Sequence, residues 1–255
     1  FKSVSVDLIY GLPHQNTESI KTTIDTVLSL DPDRLALYHY AHLPHIFKPQ
    51  RRIDTNVVPG SEEKLDMLQY CVQTLTERGY VFIGMDHFAK PDDELSIALK
   101  EGFLQRNFQG YSTYADCDLV AIGVSSIGKI GSTYSQNERD IDAYYAALDA
   151  GHLPIMRGYQ LNQDDILRRN IIQDLMCRFS LDYQIYESVF GIPFSRYFAA
   201  ELEDMKQLET LGLVRLKPHS LTVTPKGRFL IRNIAMVFDY HLRHKETKAK
   251  YSQTV

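Results

Sequence analysis

Short apolar segments alternate with amphipathic segments along the first part of the chain, and this alternation limits the fold more than any other sequence feature. Val4 to Tyr10 and Arg34 to Tyr40 have the length and apolar content of buried strands, whereas Glu18 to Leu30 carries apolar residues at helical spacing behind the capping residue Asn16. The pattern also predicts strands over 80–85 and 119–124 and helices over 61–78, 92–105 and 138–150. Such an alternation is typical of a parallel sheet covered by helices, either part of an α/β barrel or an open doubly wound sheet.

Four strands are too few to close a barrel, and a barrel would place the missing strands upstream of Phe1 in a longer protein. After about residue 160 the strand pattern stops. Helices are predicted over 164–178 and 194–211, then a hairpin over 214–223 and a helix from about Pro225. We therefore predict two domains, an α/β domain over 1–160 and a mostly helical, winged-helix-like domain with a short β-hairpin over 161–255.

Composition and charge limit the classes of function. The chain has 44% hydrophobic and 24% charged residues and no apolar run of membrane-spanning length, so we expect a soluble cytoplasmic protein. Cys71, Cys117 and Cys177 lie 46 and 60 residues apart, which fits neither a disulfide framework nor a metal or iron–sulfur site. The net charge of −4 divides into +6 over 217–255 and −10 elsewhere, so the basic tail suits an anionic ligand, a nucleic acid or the protein's own acidic surface.

Several polar residues follow predicted strands, where α/β folds bind ligands. Asp7 interrupts an apolar strand just before a Gly-Leu-Pro turn and is either a turn-bonding or a ligand-binding carboxylate. Asp86 and His87 are neighbours on an extended chain and point to opposite faces, so one shared role is not expected. The histidines of YHYAHLPHIF fit either a metal loop or a packed lid.

Two later segments combine features of packing and of ligand binding. RNFQGYSTY (106–114) has amides that can form hydrogen bonds and aromatic rings that can cover a flat ligand or simply pack. VAIGVSSIGKIG (120–131) is rich in glycine but matches neither GxGxxG nor a Walker pattern. A glycine- and serine-rich turn that contacts a small ligand through its main chain remains open.

Five motifs in order, SVDLIYGLP, YAHLP, FIGMDHFAKPDDEL, NFQGYST and KGRFLIRNI, resemble those of the oxygen-independent coproporphyrinogen III oxidase (coproporphyrinogen dehydrogenase) family of radical S-adenosylmethionine enzymes. The resemblance covers essentially all 255 residues. It implies an α/β fold, the C-terminal part of a partial (β/α) radical SAM barrel followed by a mostly helical, winged-helix-like domain. The family's CxxxCxxC signature, which binds a [4Fe-4S] cluster, is absent here. The cluster ligands are therefore expected upstream, and this chain alone is expected to hold no metal and to be inactive.

The resemblance also implies a reaction in anaerobic heme and porphyrin biosynthesis. Such an oxidoreductase converts two propionates of coproporphyrinogen III to vinyl groups, giving protoporphyrinogen IX. It uses a radical derived from S-adenosyl-L-methionine, together with an electron donor and acceptor that the sequence does not identify. By matching positions, Asp7, Ile9 and Ala41 are expected to contact the cluster-bound S-adenosylmethionine, and Phe108 and Ile127 a second S-adenosylmethionine.

A substrate with four propionates needs positive charge. Arg228 and Arg232 are four residues apart on a predicted helix and hence on one face, where they either bind propionates or pair with the acidic body. Two other functions remain open. A heme chaperone paralogue shares DLIYGLP but usually has Ser-Asn-Phe-Ala where this chain has Asp-His-Phe-Ala at 86–89, and a winged-helix nucleic-acid-binding protein would explain the basic tail but leave Asp7 without a role.

Overall fold

The computed structural model describes residues 2–114 and 117–244, and a four-stranded sheet organises its first part. Its strands are β1 (Ser5–Tyr10), β2 (Arg34–His39), β3 (Val81–Gly84) and β4 (His87–Ala89), in the spatial order β1-β2-β4-β3. Helix α1 (Thr17–Ser29) connects the parallel pair β1 and β2. Two short 3-10 helices (Lys48–Arg52 and Thr55–Val57) and helix α2 (Ser61–Glu77) lead from β2 to β3.

Local sequence signals explain why α1 forms where the sequence predicts it. The Asn16 side chain accepts a hydrogen bond from the Ser19 backbone amide, and the Ser19 hydroxyl accepts one from the Asn16 amide in return, which closes a capping box. Ile20 and Ile24, one turn apart, are fully buried in a core shared with residues of α2 such as Met67. The cap and the apolar face together fix the helix on the sheet.

The predicted parallel alternation is correct only for the first two strands. β3 turns back at residues 85–86 into β4, which pairs antiparallel with both β2 and β3. The predicted strand over 119–124 is wrong, because only Leu119 forms an isolated bridge, to Lys129, and Gly123 and Ser125 have left-handed φ angles that end the extended chain. The apolar side chain of Ile122 is 83% exposed.

Antiparallel pairs follow the first sheet. Helix α3 (Glu94–Glu101) leads into the hairpin β5 (Gln105–Asn107) and β6 (Gly110–Ser112). A separate three-stranded sheet contains β7 (Ile127–Ile130), β8 (Thr133–Asn137) and β9 (Ile155–Gln160), with helix α4 (Ile141–Asp149) between its last two strands. The helices predicted over 92–105 and 138–150 are therefore present in shorter form.

The remaining residues are mostly helical. The elements are α5 (Gln163–Arg178), β10 (Ser180–Asp182), α6 (Tyr183–Phe190), α7 (Phe194–Tyr197), α8 (Ala199–Thr210), β11 (Val214–Lys217), β12 (Ser220–Val223), α9 (Pro225–Arg228), α10 (Ile231–Met236) and α11 (Tyr240–Arg243). The predicted hairpin is confirmed as β11 and β12, and β10 adds a third strand that the sequence did not indicate.

The single helix predicted from about Pro225 is wrong. The helix expected from Pro225 is two short helices, since Leu230 has non-helical φ and ψ angles of −110° and 24°. Arg228 ends α9 and Arg232 lies in α10, so they do not share one helix face. The residues of the basic tail beyond 244 lie outside the described residues.

Two hydrophobic cores hold the structure together. The smaller one packs α1 and α2 on β1 and β2, and the larger one combines residues of β3, β4 and α3 with α5 and the helices that follow. The larger core thus contains residues from both sides of position 160, and the division into two domains there stays a prediction. Within 2–114 and 117–244, no helix has the length and apolar character required to cross a membrane.

Candidate functional site

Strand alternation places Asp7 on the open face of the first sheet. Val6, Leu8 and Tyr10 pack toward α1 and α2, so Asp7 and Ile9 project from the opposite face. Asp7 is exposed, and Ile9 is 44% exposed. The sequence therefore predicted correctly that this carboxylate interrupts a strand, and it is not part of a core.

Asp7 lines a cavity of about 210 Å³, hereafter the Asp7 cavity, together with Tyr38, His87 and Tyr111. The His87 ring lies edge-on to both tyrosines, with centroids 6.1 Å from Tyr38 and 5.3 Å from Tyr111. Burial lowers the pKa of His87, Arg106 lowers it further, and Asp7 opposes the change. His87 is therefore a neutral imidazole near pH 7, and its buried Nδ1 has no hydrogen-bond partner in the structure.

Asp86 does not line this cavity, although it directly precedes the lining residue His87 in the sequence. It lies in the turn between β3 and β4, whereas His87 begins β4 and lines the Asp7 cavity. Burial raises the pKa of Asp86, and the positive charges of Arg232 and Arg106 oppose this rise. Arg232 and Arg106 are therefore near enough to the Asp86 carboxyl to favour its charged form.

Ala41 lies just beyond the end of β2, where the parallel pairing continues through a hydrogen bond from the Tyr40 amide to the Tyr10 carbonyl (2.9 Å). The Gln50 side chain fixes this loop, because its amide nitrogen donates to the Ala41 carbonyl (3.0 Å) and its oxygen accepts from the Leu43 amide (2.6 Å). Ile9 therefore lies in the carboxyl-terminal half of β1 and Ala41 just beyond the end of β2, whereas Asp7 lies mid-strand opposite Ala36.

A second cavity of about 620 Å³, hereafter the large cavity, lies between the β5–β6 hairpin, residues of β7 and β8, and helix α5. Phe108 lines it, is 56% exposed and meets Tyr134 edge-to-face with centroids 5.4 Å apart. Gln109 lines both cavities, which makes them neighbours. Ile127 is half-buried on β7 opposite Gln136 and lines neither, so the structure does not place it with Phe108 in one cavity.

The thiols do not fit an iron–sulfur cluster. Cys71 and Cys177 are buried, and burial raises the pKa of each to about 12, whereas Cys117 is exposed. In the part of the chain that the structure describes, no three His, Cys, Asp or Glu side chains converge as metal ligands. Of the three histidines considered for a metal loop, His39 has a buried Nε2 without a partner and His42 lies 3.4 Å from the Tyr40 hydroxyl.

The two arginines predicted to bind propionates, Arg228 and Arg232, line neither cavity. The Arg228 guanidinium covers the Phe179 ring at 4.3 Å, and Arg232 is exposed. Their role in substrate binding stays a prediction. Sequence reasoning missed Arg106 and Arg169, which line the large cavity; Arg106 opens RNFQGYSTY, but no local pattern marks Arg169.

Comparison with known proteins identifies the family. The oxygen-independent coproporphyrinogen III oxidase of Thermostichus vulcanus is 47% identical, and the match covers 96% of this chain and 76% of that protein. The chain belongs to the oxygen-independent coproporphyrinogen III oxidase family. The enzyme of the same name from Pseudomonas aeruginosa is 49% identical over 95% of this chain and 53% of its own length. A family model described as the HemN C-terminal domain matches residues 161–230.

A solved structure of this family confirms the fold class. Coproporphyrinogen III oxidase (HemN) from Escherichia coli, described as a radical SAM enzyme, matches with a TM-score of 0.92 and 48% identity over 95% of this chain and 56% of that one. The expected fold class, a mixed α/β radical SAM fold with a mostly helical C-terminal region, is therefore confirmed. The chain spans about half the length of most of the curated relatives it matches.

Proposed function

We propose that the protein containing this chain catalyses the oxidative decarboxylation of two coproporphyrinogen III propionates to vinyl groups, giving protoporphyrinogen IX in anaerobic heme biosynthesis. The observation that carries the proposal is that Asp7 and Ile9 project from the open face of β1 and Ala41 follows the adjacent parallel strand β2, in a chain whose relatives bear this enzyme's name. The oxidase name of these relatives supports this function over a heme chaperone or a nucleic-acid-binding protein.

The residues of β1 and β2 suit S-adenosylmethionine, which supplies the hydrogen-abstracting chemistry when it is bound. The exposed Asp7 carboxylate can accept hydrogen bonds from a ribose hydroxyl or an ammonium group, since it forms no ion pair with any residue that the structure describes. Ile9 offers an exposed apolar side chain to an adenine ring, and the Gln50 side chain holds the main chain at Ala41 in position. Phe108 and Ile127 are proposed to contact a second S-adenosylmethionine.

The chain's share of the reaction is binding and positioning. Its three cysteines do not fit a [4Fe-4S] cluster, so its residues act by orienting cofactor and substrate and by excluding water from the Asp7 cavity. The whole protein binds coproporphyrinogen III as its substrate and exchanges electrons with a donor and an acceptor. No side chain of this chain is required as a nucleophile.

Asp7→Asn in the full-length protein tests the cofactor role. We expect S-adenosylmethionine affinity to weaken by about 1–3 kcal/mol, because the neutral amide loses a charge-assisted hydrogen bond. Asp25→Asn is the matched control, since Asp25 is an exposed carboxylate on α1. Affinity is measured by calorimetry, and product formation from coproporphyrinogen III is measured anaerobically. Equal S-adenosylmethionine affinities of the two variants would show that Asp7 does not contact the cofactor. A parent protein that forms no protoporphyrinogen IX would overturn the proposed function.

A further inference from the structure

We propose that Arg106 and Arg169 form a carboxylate-binding site in the large cavity that receives propionate side chains of the tetrapyrrole. The inference rests on the proposed function, because that function supplies a ligand with several carboxylates. The sequence predicts propionate binding by Arg228 on α9 and Arg232 on α10. The structure points instead to arginines on β5 and α5.

The first observation is that both guanidinium groups carry a buried nitrogen without a partner. Arg106 Nε and Arg169 Nη1 are buried and have no hydrogen-bond partner within residues 2–114 and 117–244. Other partly buried arginines are paired, as Arg34 is with Asp93 (2.7 Å) and Arg168 is with Glu201 (2.8 Å). A buried N–H without an acceptor costs free energy, so two such groups in one cavity indicate an acceptor that comes from a ligand.

Arg228 also has a buried Nε without a partner, and it serves as a comparison. Its guanidinium is covered by the Phe179 ring, and it lines neither of the two cavities. Arg106 and Arg169 differ because both line the same open space. The combination of an orphaned N–H and a cavity is what points to a ligand.

The two arginines are held on rigid elements that contact each other. Arg169 and Gln173 are four residues apart on α5 and therefore share one helix face. The Gln173 amide nitrogen donates to Gln105 Oε1 at 2.9 Å, which fixes this face against β5 beside Arg106. Arg106 also lies over the Tyr111 ring, 5.7 Å from its centroid. A site whose cations are positioned before binding loses less conformational entropy when the anion enters.

The charge of the cavity wall suits an anion. Lys129 is a third cation among the described lining residues, and Asp118 is the single carboxylate among them. Asp118 Oδ1 accepts a hydrogen bond from the Gly131 amide at 2.8 Å, and the three cations still outnumber this carboxylate among the described lining residues. Phe108 and Tyr134 add apolar ring surface, and the volume of about 620 Å³ is in the ordinary range for a ligand pocket.

A carboxylate can reach this cavity from two sources, a propionate of the substrate or the amino-acid end of an S-adenosylmethionine near Phe108. Three cations exceed what one carboxylate needs, and a tetrapyrrole presents several carboxylates around an apolar ring. The structure therefore favours the propionates. Planar guanidinium groups also match a carboxylate in a bidentate geometry that a lysine cannot reproduce.

The test uses the full-length protein and coproporphyrin III, the oxidised and non-reacting form of the substrate. Its binding is titrated through the shift of its Soret band, and S-adenosylmethionine is titrated separately by calorimetry. The variants are Arg106→Gln, Arg169→Gln and Arg169→Lys, with Arg215→Gln as control because Arg215 is exposed on β11. We expect each glutamine variant to lose roughly ten- to hundredfold in coproporphyrin III affinity. Arg169→Lys should lose less, while Arg215→Gln and all S-adenosylmethionine affinities should stay within about twofold.

The inference is overturned if Arg106→Gln and Arg169→Gln bind coproporphyrin III as Arg215→Gln does, or if they lose S-adenosylmethionine affinity alone. Absence of coproporphyrin III binding to the parent protein also overturns it. If the glutamine variants do not fold, as judged by thermal melting, unchanged binding by Arg169→Lys overturns it and a loss of several-fold supports it. The proposed function is judged separately, by the Asp7→Asn titration and by product formation.

Discussion

Replacing Gly84 with alanine tests how the turn from β3 into β4 positions Tyr111. Gly84 has a φ of 149°, which L side chains rarely adopt, and a Cβ there would overlap the Tyr111 hydroxyl and lie 3.2 Å from the Phe179 ring. Tyr111 cannot simply move away, because its hydroxyl donates to the Met176 carbonyl at 3.0 Å. The alanine variant must therefore strain the turn, displace Tyr111 or do both.

The expected loss of stability can be worked from these two contributions. Backbone strain costs about 1–3 kcal/mol, and loss of the Tyr111 hydrogen bond costs about 0.5–1.5 kcal/mol. Together they predict a fall of about 2–4 kcal/mol in the free energy of unfolding of the Gly84→Ala variant. For a chain of this size the melting temperature should fall by roughly 5–15 °C.

Thermal unfolding followed by circular dichroism measures the effect, with Gly102→Ala as the matched control. Gly102 also has a positive φ, 81°, but a Cβ there meets no atom within 4 Å, so its alanine variant reports strain alone. Combining Gly84→Ala with Tyr111→Phe removes the overlapping hydroxyl and should recover part of the loss in a double-mutant cycle. Equal melting temperatures for Gly84→Ala and Gly102→Ala would refute the role given to Tyr111.

Three further predictions follow from the same structure. Iron and sulfide reconstitution of this chain should give no stoichiometric [4Fe-4S] absorption, because its cysteines are scattered, and a stoichiometric spectrum would contradict this. Arg168→Met should lower the free energy of unfolding in urea by about 3 kcal/mol, since it leaves the buried Glu201 without its 2.8 Å partner; a loss below about 1 kcal/mol would contradict it. Burial and Arg106 lower the pKa of His87 below 6.5, so the unfolded chain binds that proton more readily and stability should decline as the pH falls below this value. His87→Gln should flatten that decline, and an identical pH profile would show that His87 does not cause it.

The elements that could be predicted are those with local signals. The strand at Asp7 and the helix after Asn16 carry an apolar pattern and a cap within a few residues, and both are present. β4 and β10 have three residues each, too few for a periodic signal, and they form because neighbouring strands pair with them. Residues 119–124 were predicted as a strand from their apolar composition, but they form none, because only Leu119 pairs with a neighbouring strand.

The site was predictable where it follows a strand and unpredictable where it depends on packing. Ile9 lies near the end of β1 and Ala41 follows the neighbouring parallel strand β2, so their position at one edge of the sheet follows from sequence order and topology. Arg106 and Arg169 are far apart in the sequence and line one cavity because α5 packs against β5. Whether a guanidinium nitrogen is buried without an acceptor depends on the packing of distant segments, so no local sequence pattern could predict it.

The large cavity has walls from two distant parts of the chain, β5 and α5, and the hydrogen bond between Gln105 and Gln173 joins them. Any anion held by Arg106 and Arg169 spans this junction, and it must be released before α5 can separate from the β5–β6 hairpin. Occupancy and local opening are then thermodynamically linked, and a ligand at a hundredfold excess over its dissociation constant suppresses opening by about 2.7 kcal/mol. Slower amide hydrogen exchange in β5 and in the facing turns of α5 would therefore report a filled cavity even where no catalysis takes place.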